Sequence, residues 1–288
     1  MPEGDTIFRA ARTLHRALSG QTVTSFETVF PRLSRVETDS GITGRQIVSV
    51  ESRGKWLLMN FSGDLILLTH MLMNGSWHIY RTGERWKRSH AEMRVLISTP
   101  AIIAVAFNIQ IAEFHTADSL RRRPGFNRLG PSVLADQYDQ SQILANLTAH
   151  PDLEVGVALL NQSVLAGVGN VYKSEICFAC GVNPFRTIES LSAEELGCLV
   201  VTARKFLLAN VTETSGDGIS TYMGMRRTTR RADPEERLWA YHRRAEPCRK
   251  CGTPIESRKH SSDARTSFWC PRCQPLSRAA AAKASAPC

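Results

Sequence analysis

Hydrophobic positions change their period along this chain. Ile7, Ala11, Leu14 and Leu18 recur at spacings of four, three and four, which places them on one helix face, and Gly20 supplies a stop. From about residue 22 to 115 the helical period gives way to short β-prone runs: TVTSFETVF, RQIVSVES, KWLLMNF, LILLTHM, SWHIY, MRVLIS and AIIAVAF. Glycine and aspartate punctuate them, as in Ser62-Gly63-Asp64, and the pattern predicts a β-sandwich. A polar stretch bearing Pro124 and glycines (118–131) opens a linker that extends to 138. Helical spacing returns from 139 to about 210, and 212–236 is a loop rich in Thr, Gly and Arg. The expected class is α+β: an N-terminal helix and sandwich over 1–117, a linker over 118–138, a helical domain over 139–236, a cysteine module over 237–274, and a low-complexity, disordered tail over 275–288.

The 288 residues suit about two domains. Apolar runs such as Ala101–Phe107 are too short to cross a bilayer. The start, MPEGDTIFRA, does not read as a secretory signal, so a cytoplasmic, nucleoid-associated protein is expected. Net charge changes the picture more. Residues 1–203 hold 19 basic and 19 acidic side chains, whereas 204–288 hold 17 and 8, so the last stretch carries the whole +9. A basic excess at one end points to a polyanion partner such as nucleic acid.

Four of the eight cysteines, Cys248, Cys251, Cys270 and Cys273, are spaced C-x2-C-x18-C-x2-C. Each pair forms a tight knuckle that can bring two thiolates to one tetrahedral centre. Two strands fit between the knuckles, which predicts a zinc ribbon with one structural Zn2+ and no open position for water. Arg249, Lys250, Arg258, Lys259, Arg265 and Arg272 make that ribbon basic. Cys177 and Cys180 lie in an apolar helical stretch and read as buried thiols.

Residues 155–180 show two helical patterns joined by Ala166-Gly167-Val168-Gly169, with Asn170 placed to cap the second. Glycines at a helix N-terminus expose backbone N–H groups and suit an anion. At the other end of the chain, removal of Met1 would leave Pro2 with a secondary amine. An α-amino group titrates near about 7.7–8.0, so part of it is neutral and nucleophilic at physiological pH. Glu3 beside it could shuttle protons.

Five segments now stand in one order: MPEG at the start, SRGKWLL at 52–58, LGPSVL at 129–134, LLNQSVLAGVGNVYKSEI at 159–176 and PCRKCGTPI…FWCPRCQ at 247–274. Together they closely resemble the formamidopyrimidine-DNA glycosylase / endonuclease VIII family of base-excision repair enzymes, over residues 1–274. The resemblance implies a sandwich, a helix–two-turns–helix domain and a zinc ribbon. It implies a monomeric DNA glycosylase and abasic-site lyase on damaged double-stranded DNA, with no redox cofactor and no membrane partner. Carried over by motif, Pro2 attacks C1′, Glu3 is the acid/base, and Lys55 contacts phosphate beside the lesion. Gly169 and Asn170 grip the backbone, and Arg265 clamps phosphate from the ribbon hairpin. β-Elimination and δ-elimination would follow base loss.

Two departures matter. Asn161 stands where the family has Asp, which alters a helix contact rather than the chemistry. HMLMNGSW places Met73 where the purine-specific branch inserts a methionine into the space left by the flipped base. The stretch FNIQIAEFHTAD, however, lacks the Arg-Phe pair of that branch and looks like endonuclease VIII. Oxidised pyrimidines are therefore favoured over 8-oxoguanine and formamidopyrimidines. A catalytically silent zinc-ribbon DNA-binding protein is the rival from another class, and it would have no use for Pro2, Glu3, Lys55 and Arg265 together.

Overall fold

A computed structural model describes residues 2–212, 227–229, 234–260 and 265–276. Most of the expected 212–236 loop and nearly all of the expected tail lie outside them. The chain divides into two compact units between Arg128 and Leu129.

The first unit opens with helix α1 (Gly4–Leu18), whose Ile7, Ala10, Ala11, Leu14 and Leu18 are buried as its spacing requires. His15 Nδ1 accepts a hydrogen bond from Val50 N at 3.1 Å and ties α1 to strand β2 (Ile47–Arg53). β2, β3 (Trp56–Phe61), β4 (Leu65–His70) and β8 (Ile111–His115) form one antiparallel sheet in the order β2-β3-β4-β8. β1 (Ser25–Thr28), β5 (Ser76–Arg81), β6 (Met93–Ser98) and β7 (Ile102–Phe107) form the other, in the order β1-β6-β7-β5. Alternate residues from both sheets share one core with α1: Val50, Leu57, Met59, Phe61 and Leu67 from one, Phe26, Trp77, Ile79, Val95, Ile97, Ala104 and Ala106 from the other. This is the expected sandwich. The β-prone region also contains helix α2 (Pro31–Ser40). Pro31 starts it, and Leu33 alone is buried, so its sequence carries little apolar periodicity to announce it.

The outer face of β5 is polar but covered. Ser76 Oγ lies 3.0 Å from His78 Nε2, and His78 Nδ1 lies 3.1 Å from the Tyr80 hydroxyl. Phe107 meets the imidazole edge-on, and Trp86 stacks over Tyr80 and His90. Burial, followed by the Arg88 and Lys87 charges, holds the His78 pKa down at about 4 against a weaker pull from Glu92.

The second unit begins with an extended stretch pinned by Arg204, whose Nη1 donates to the Val133 and Ala135 carbonyls while its guanidinium covers Tyr138. Helix α3 (Ala117–Arg122) stands just before that stretch in the chain, and α4 (Gln140–Thr148), capped by Asp139, follows it. Short α5 (Val155–Ala158), two turns and α6 (Asn170–Ala179) make the helix–two-turns–helix arrangement, and α7 (Ala193–Thr212) packs on α6. The motif glycines have local reasons. Gly130 N donates to Gln162 O at 2.9 Å, and a Cβ on Gly130 would run into the Ser163 and Val164 carbonyls. Gln162 staples the turns, accepting from Gly167 N and donating to Leu160 O and Val168 O.

Cys177 is a buried thiol with its pKa pushed up to about 12 by burial, as expected. Cys180 is not: it is half-buried and forms a disulfide with Cys198 of α7, with Cα atoms 5.9 Å apart. Cys180, expected as a second buried thiol, directly follows α6 and takes its partner from the next helix, which its own neighbourhood in the sequence does not indicate.

Strands β9 (Glu256–Lys259) and β10 (Thr266–Trp269) pair antiparallel as the ribbon. It packs on α6 through Phe178, Ala240, Cys248, Ile255 and Cys270. Glu175, wholly buried in α6, accepts from the backbone N–H groups of Trp239, Ala240 and Tyr241 at 2.8–2.9 Å and from the Thr228 hydroxyl. Gln274 closes the far side, accepting from Cys270 N and donating to Val182 O.

Two predictions follow from these buried polar groups. Glu175→Leu leaves three enclosed N–H groups without their acceptor and lowers stability by at least ~3 kcal/mol in guanidinium unfolding. His78 binds a proton more readily when unfolded, so its contribution is complete above about pH 6.5 and is lost as pH falls toward about 4. The melting temperature should therefore fall between ~pH 7 and ~pH 5, and His78→Gln should flatten part of that fall.

Candidate nucleic-acid interface

In the first unit, the chain enters α1 through Pro2 and Glu3, both buried. Glu3 is the N-cap residue, and its carbonyl accepts from Thr6 N and Ile7 N at 3.0 and 3.1 Å. Its carboxylate is fully enclosed, as is that of Asp5 one residue into the helix. The positive end of the helix dipole offsets part of the cost of burying negative charge there.

Lys55 sits in the two-residue Gly54-Lys55 turn between β2 and β3, closed by the Arg53–Trp56 pair. Gly54 has φ 60°, which a hairpin turn of this length needs at its first position and which a side chain would oppose. Around the turn, Arg123 lies 4.2 Å from the centre of the Trp56 ring and is held there by Glu113. His70 meets the other side of Trp56 edge-on at 4.7 Å.

His70 also starts the loop that carries Met73. Its Nδ1 accepts from Leu72 N at 3.0 Å, and Leu72 takes φ 47°. Gly75 N returns to Met71 O at 2.8 Å, and a Cβ on Gly75 would lie 2.5 Å from that carbonyl. Met71 is buried inside the turn, and Met73 is 58% exposed at its tip. Burial, then the charges of Lys55 and Arg123, lower the His70 pKa to about 4, so the ring stays a neutral acceptor for Leu72. The sequence reading missed this histidine, which links the Lys55 turn to the Met73 loop, because nothing in its spacing marks it.

In the second unit Gly169, not Asn170, is the N-cap of α6. Asn170 is the first helical residue, half-buried, and its Oδ1 is an enclosed acceptor without a partner in the structure. The chain around it is locally set, since Asn161 Oδ1 accepts from both Ser163 N and Ser163 Oγ in the turns before α6. A side-chain oxygen is all that this contact requires, so Asn serves where Asp would. Arg265 is exposed and immediately precedes β10. His260 directly follows β9, and its N–H reaches Arg265 O at 3.5 Å. The His260 ring is buried between the Glu154 carboxylate and Ser267 Oγ, against Phe185.

The four sequence-assigned cysteines converge. Their sulfur atoms all lie within 4.8 Å of one another, with separations of 3.5 Å for Cys251 to Cys270 and to Cys273 and 3.9 Å for Cys248 to Cys273. Metal–sulfur bonds of about 2.3 Å in a tetrahedron put sulfurs about 3.8 Å apart, so the cluster fits a single four-thiolate metal ion. Lys250 N and Cys273 N each donate to a knuckle sulfur at 3.4 Å, which stabilises thiolate charge.

Among the described residues no helix is long and apolar enough to cross a membrane. Three family models match the chain in sequence order: the formamidopyrimidine-DNA glycosylase N-terminal domain over 1–108, the formamidopyrimidine-DNA glycosylase H2TH domain over 129–223, and a zinc finger found in FPG and IleRS over 245–276. “Probable endonuclease 8 2” of Streptomyces coelicolor is 37% identical, covering 95% of this chain and 94% of that protein. The “DNA-(apurinic or apyrimidinic site) lyase Nei2” of Mycolicibacterium smegmatis is 33% identical over 96% of this chain and 100% of its own length. Endonuclease 8 of Escherichia coli is 30% identical, with 95% and 100% covered. The fold matches the Lactococcus lactis Fpg (MutM), solved in complex with a Fapy-dG-containing DNA, with a TM-score of 0.79 at 20% identity, covering 95% of this chain and 100% of that one. With matched domains in one order and relatives aligned along nearly their whole length, the chain belongs to the formamidopyrimidine-DNA glycosylase and endonuclease 8 family.

Proposed function

We propose that this protein is a bifunctional DNA glycosylase and abasic-site lyase that removes oxidised bases from double-stranded DNA. The observation that carries the reading is the head of α1, where Pro2 stands beside the enclosed Glu3 carboxylate. Once Met1 is removed, the Pro2 nitrogen is a secondary amine with a lone pair. It attacks C1′ of the damaged nucleotide, the C1′–N bond to the base breaks, and the base leaves with a proton. Glu3 exchanges protons as the sugar C1′–O4′ bond opens to give an iminium. That cation acidifies C2′–H. Loss of the proton expels the 3′ phosphate, a second elimination expels the 5′ phosphate, and water then releases the sugar remnant from Pro2. The target nucleotide must leave the stack for C1′ to be reached.

The remaining residues bind and orient. Lys55, on its rigid two-residue turn, meets a backbone phosphate, and the Gly169–Asn170 helix start and Arg265 grip the same backbone. Asn170 in this role donates through its Nδ2, because its Oδ1, like the phosphate oxygens, only accepts. Met73, exposed on a tight loop, fills the gap left by the everted base. The four thiolates hold one structural Zn2+, which leaves no position for a reacting water and fixes the hairpin that presents Arg265.

Oxidised pyrimidines are the favoured substrates. An Arg-Phe reading pair would have to come from the stretch after β7. There Ile111–His115 is strand β8, hydrogen-bonded to β4, and Asn108 is held by Glu92 at 2.6 Å. Neither the loop 108–110 nor β8 contains an arginine to form such a pair.

Two measurements test the proposal. Zinc-loaded, Met1-processed protein incubated with abasic-site DNA and borohydride should form a covalent adduct, and Pro2→Gly should not. Absence of both adduct and strand cleavage would leave only a silent DNA-binding protein. In excision assays, duplexes carrying thymine glycol or 5-hydroxycytosine should be processed faster than 8-oxoguanine paired with cytosine, and the reverse order would overturn the pyrimidine assignment.

A further inference from the structure

Lys173 is an ionisable residue with no exposed surface, set in the middle of α6 among buried neighbours. A lysine taken wholly out of water is costly, and an apolar side chain of similar length would fill the same volume. Its Nζ donates to the backbone carbonyl of Thr266 at 3.1 Å. Thr266 is the residue after Arg265 and the first of β10. Lys173 also lies three residues beyond Asn170, one turn along the same face of the helix. The next residue adds a second tie, since Ser174 Oγ accepts from Phe268 N at 3.3 Å. A continuous path therefore runs from Asn170 through one helical turn to Lys173, across one hydrogen bond to Thr266, and by one peptide to Arg265.

We propose that Lys173 is a positioning residue for DNA binding: it sets Arg265 in register with Asn170, so that both meet one stretch of phosphate backbone. The inference rests on the reading of Arg265 and Asn170 as phosphate contacts. A second anchor runs from Glu154 through His260, just after β9, to Ser267 of β10. Lys173 differs from that anchor because it joins the helix of one contact directly to the neighbour of the other. Loss of its hydrogen bond would let the Arg265 end of β10 shift while the cysteine knuckles, at the opposite end of the ribbon, keep the metal.

The test is a double-mutant cycle in zinc-loaded, Met1-processed protein, with affinity for a duplex carrying a tetrahydrofuran abasic analogue measured across a range of salt. Lys173→Met should weaken binding about tenfold, the scale of one hydrogen bond to a charged group, and lower the salt slope by about one phosphate contact. Zinc content should be unchanged. In an Arg265→Ala background the same substitution should add little, because Lys173 acts through Arg265. Losses that multiply, or a salt slope that Lys173→Met leaves unchanged, would reduce Lys173 to a packing role and overturn the inference. Lys173→Ala, which removes the donor altogether, carries the same cycle if the methionine variant does not fold. An Arg265→Ala variant that binds and cleaves like the parent would sink the clamp reading itself, and this inference with it.

Discussion

Glu175 is wholly buried inside α6, and three consecutive backbone N–H groups converge on its carboxyl group from Trp239, Ala240 and Tyr241. A carboxylate enclosed this way is tolerable only if each lone pair it turns inward finds a donor, and those donors are enclosed with it. The bond set therefore fixes where the chain stops being a loop and starts its approach to the ribbon. Cys248 follows within ten residues, and its sulfur must then meet three others from Cys251, Cys270 and Cys273. The metal site closes the ribbon on itself. Glu175 decides which helix the ribbon closes against, and that helix starts at Asn170.

The first unit solves a different problem. Its candidate site residues come from a terminus, a turn and a loop, which are ordinarily the least ordered parts of a chain. Each is stiffened by a local device. The terminus runs straight into α1, whose apolar face is sunk in the sandwich core. The Lys55 turn has no spare residues. The Met73 loop is folded back on Met71 and tied to His70, a ring that burial and two neighbouring cations keep neutral. A protonated His70 could not accept from Leu72, so burial and the nearby Lys55 and Arg123 charges that keep the ring neutral also preserve the loop.

Much of this was legible in the sequence because it depends on repetition. Short β-prone runs punctuated by Gly and Asp indicated the sandwich strands, a helical face indicated α1, and the C-x2-C pairs indicated the four-cysteine cluster. The active-site assignments came through resemblance, since an isolated Lys55 or Arg265 has no local signature. What escaped was contact between distant residues that repeat nothing. The Cys180–Cys198 bond, the Glu154–His260–Ser267 chain and the Glu175 bonds to 239–241 each join segments at least seven residues apart. Helix α2 escaped for a milder reason, with one buried residue and no apolar stripe. The cap of α6 shifted by one position because glycine, lacking a side chain, gives no capping signal of its own beside Asn170.

One signal was available and went unused. The stretch YKSEICFAC is apolar over its second half, yet it holds Lys173 and Glu175 in its first half. Charged residues on the buried face of a helix are rarely accidental, because each must be matched by enclosed partners. Two residues apart on a helix, they point in different directions. The lysine is turned to the ribbon strand next to Arg265, and the glutamate to the segment that leads into the ribbon. Opposite charges so placed give α6 two distinct anchoring directions, and together they remove the freedom of the ribbon to pivot about its packed apolar contact. An apolar helix could bury the same area, but it could not specify that angle.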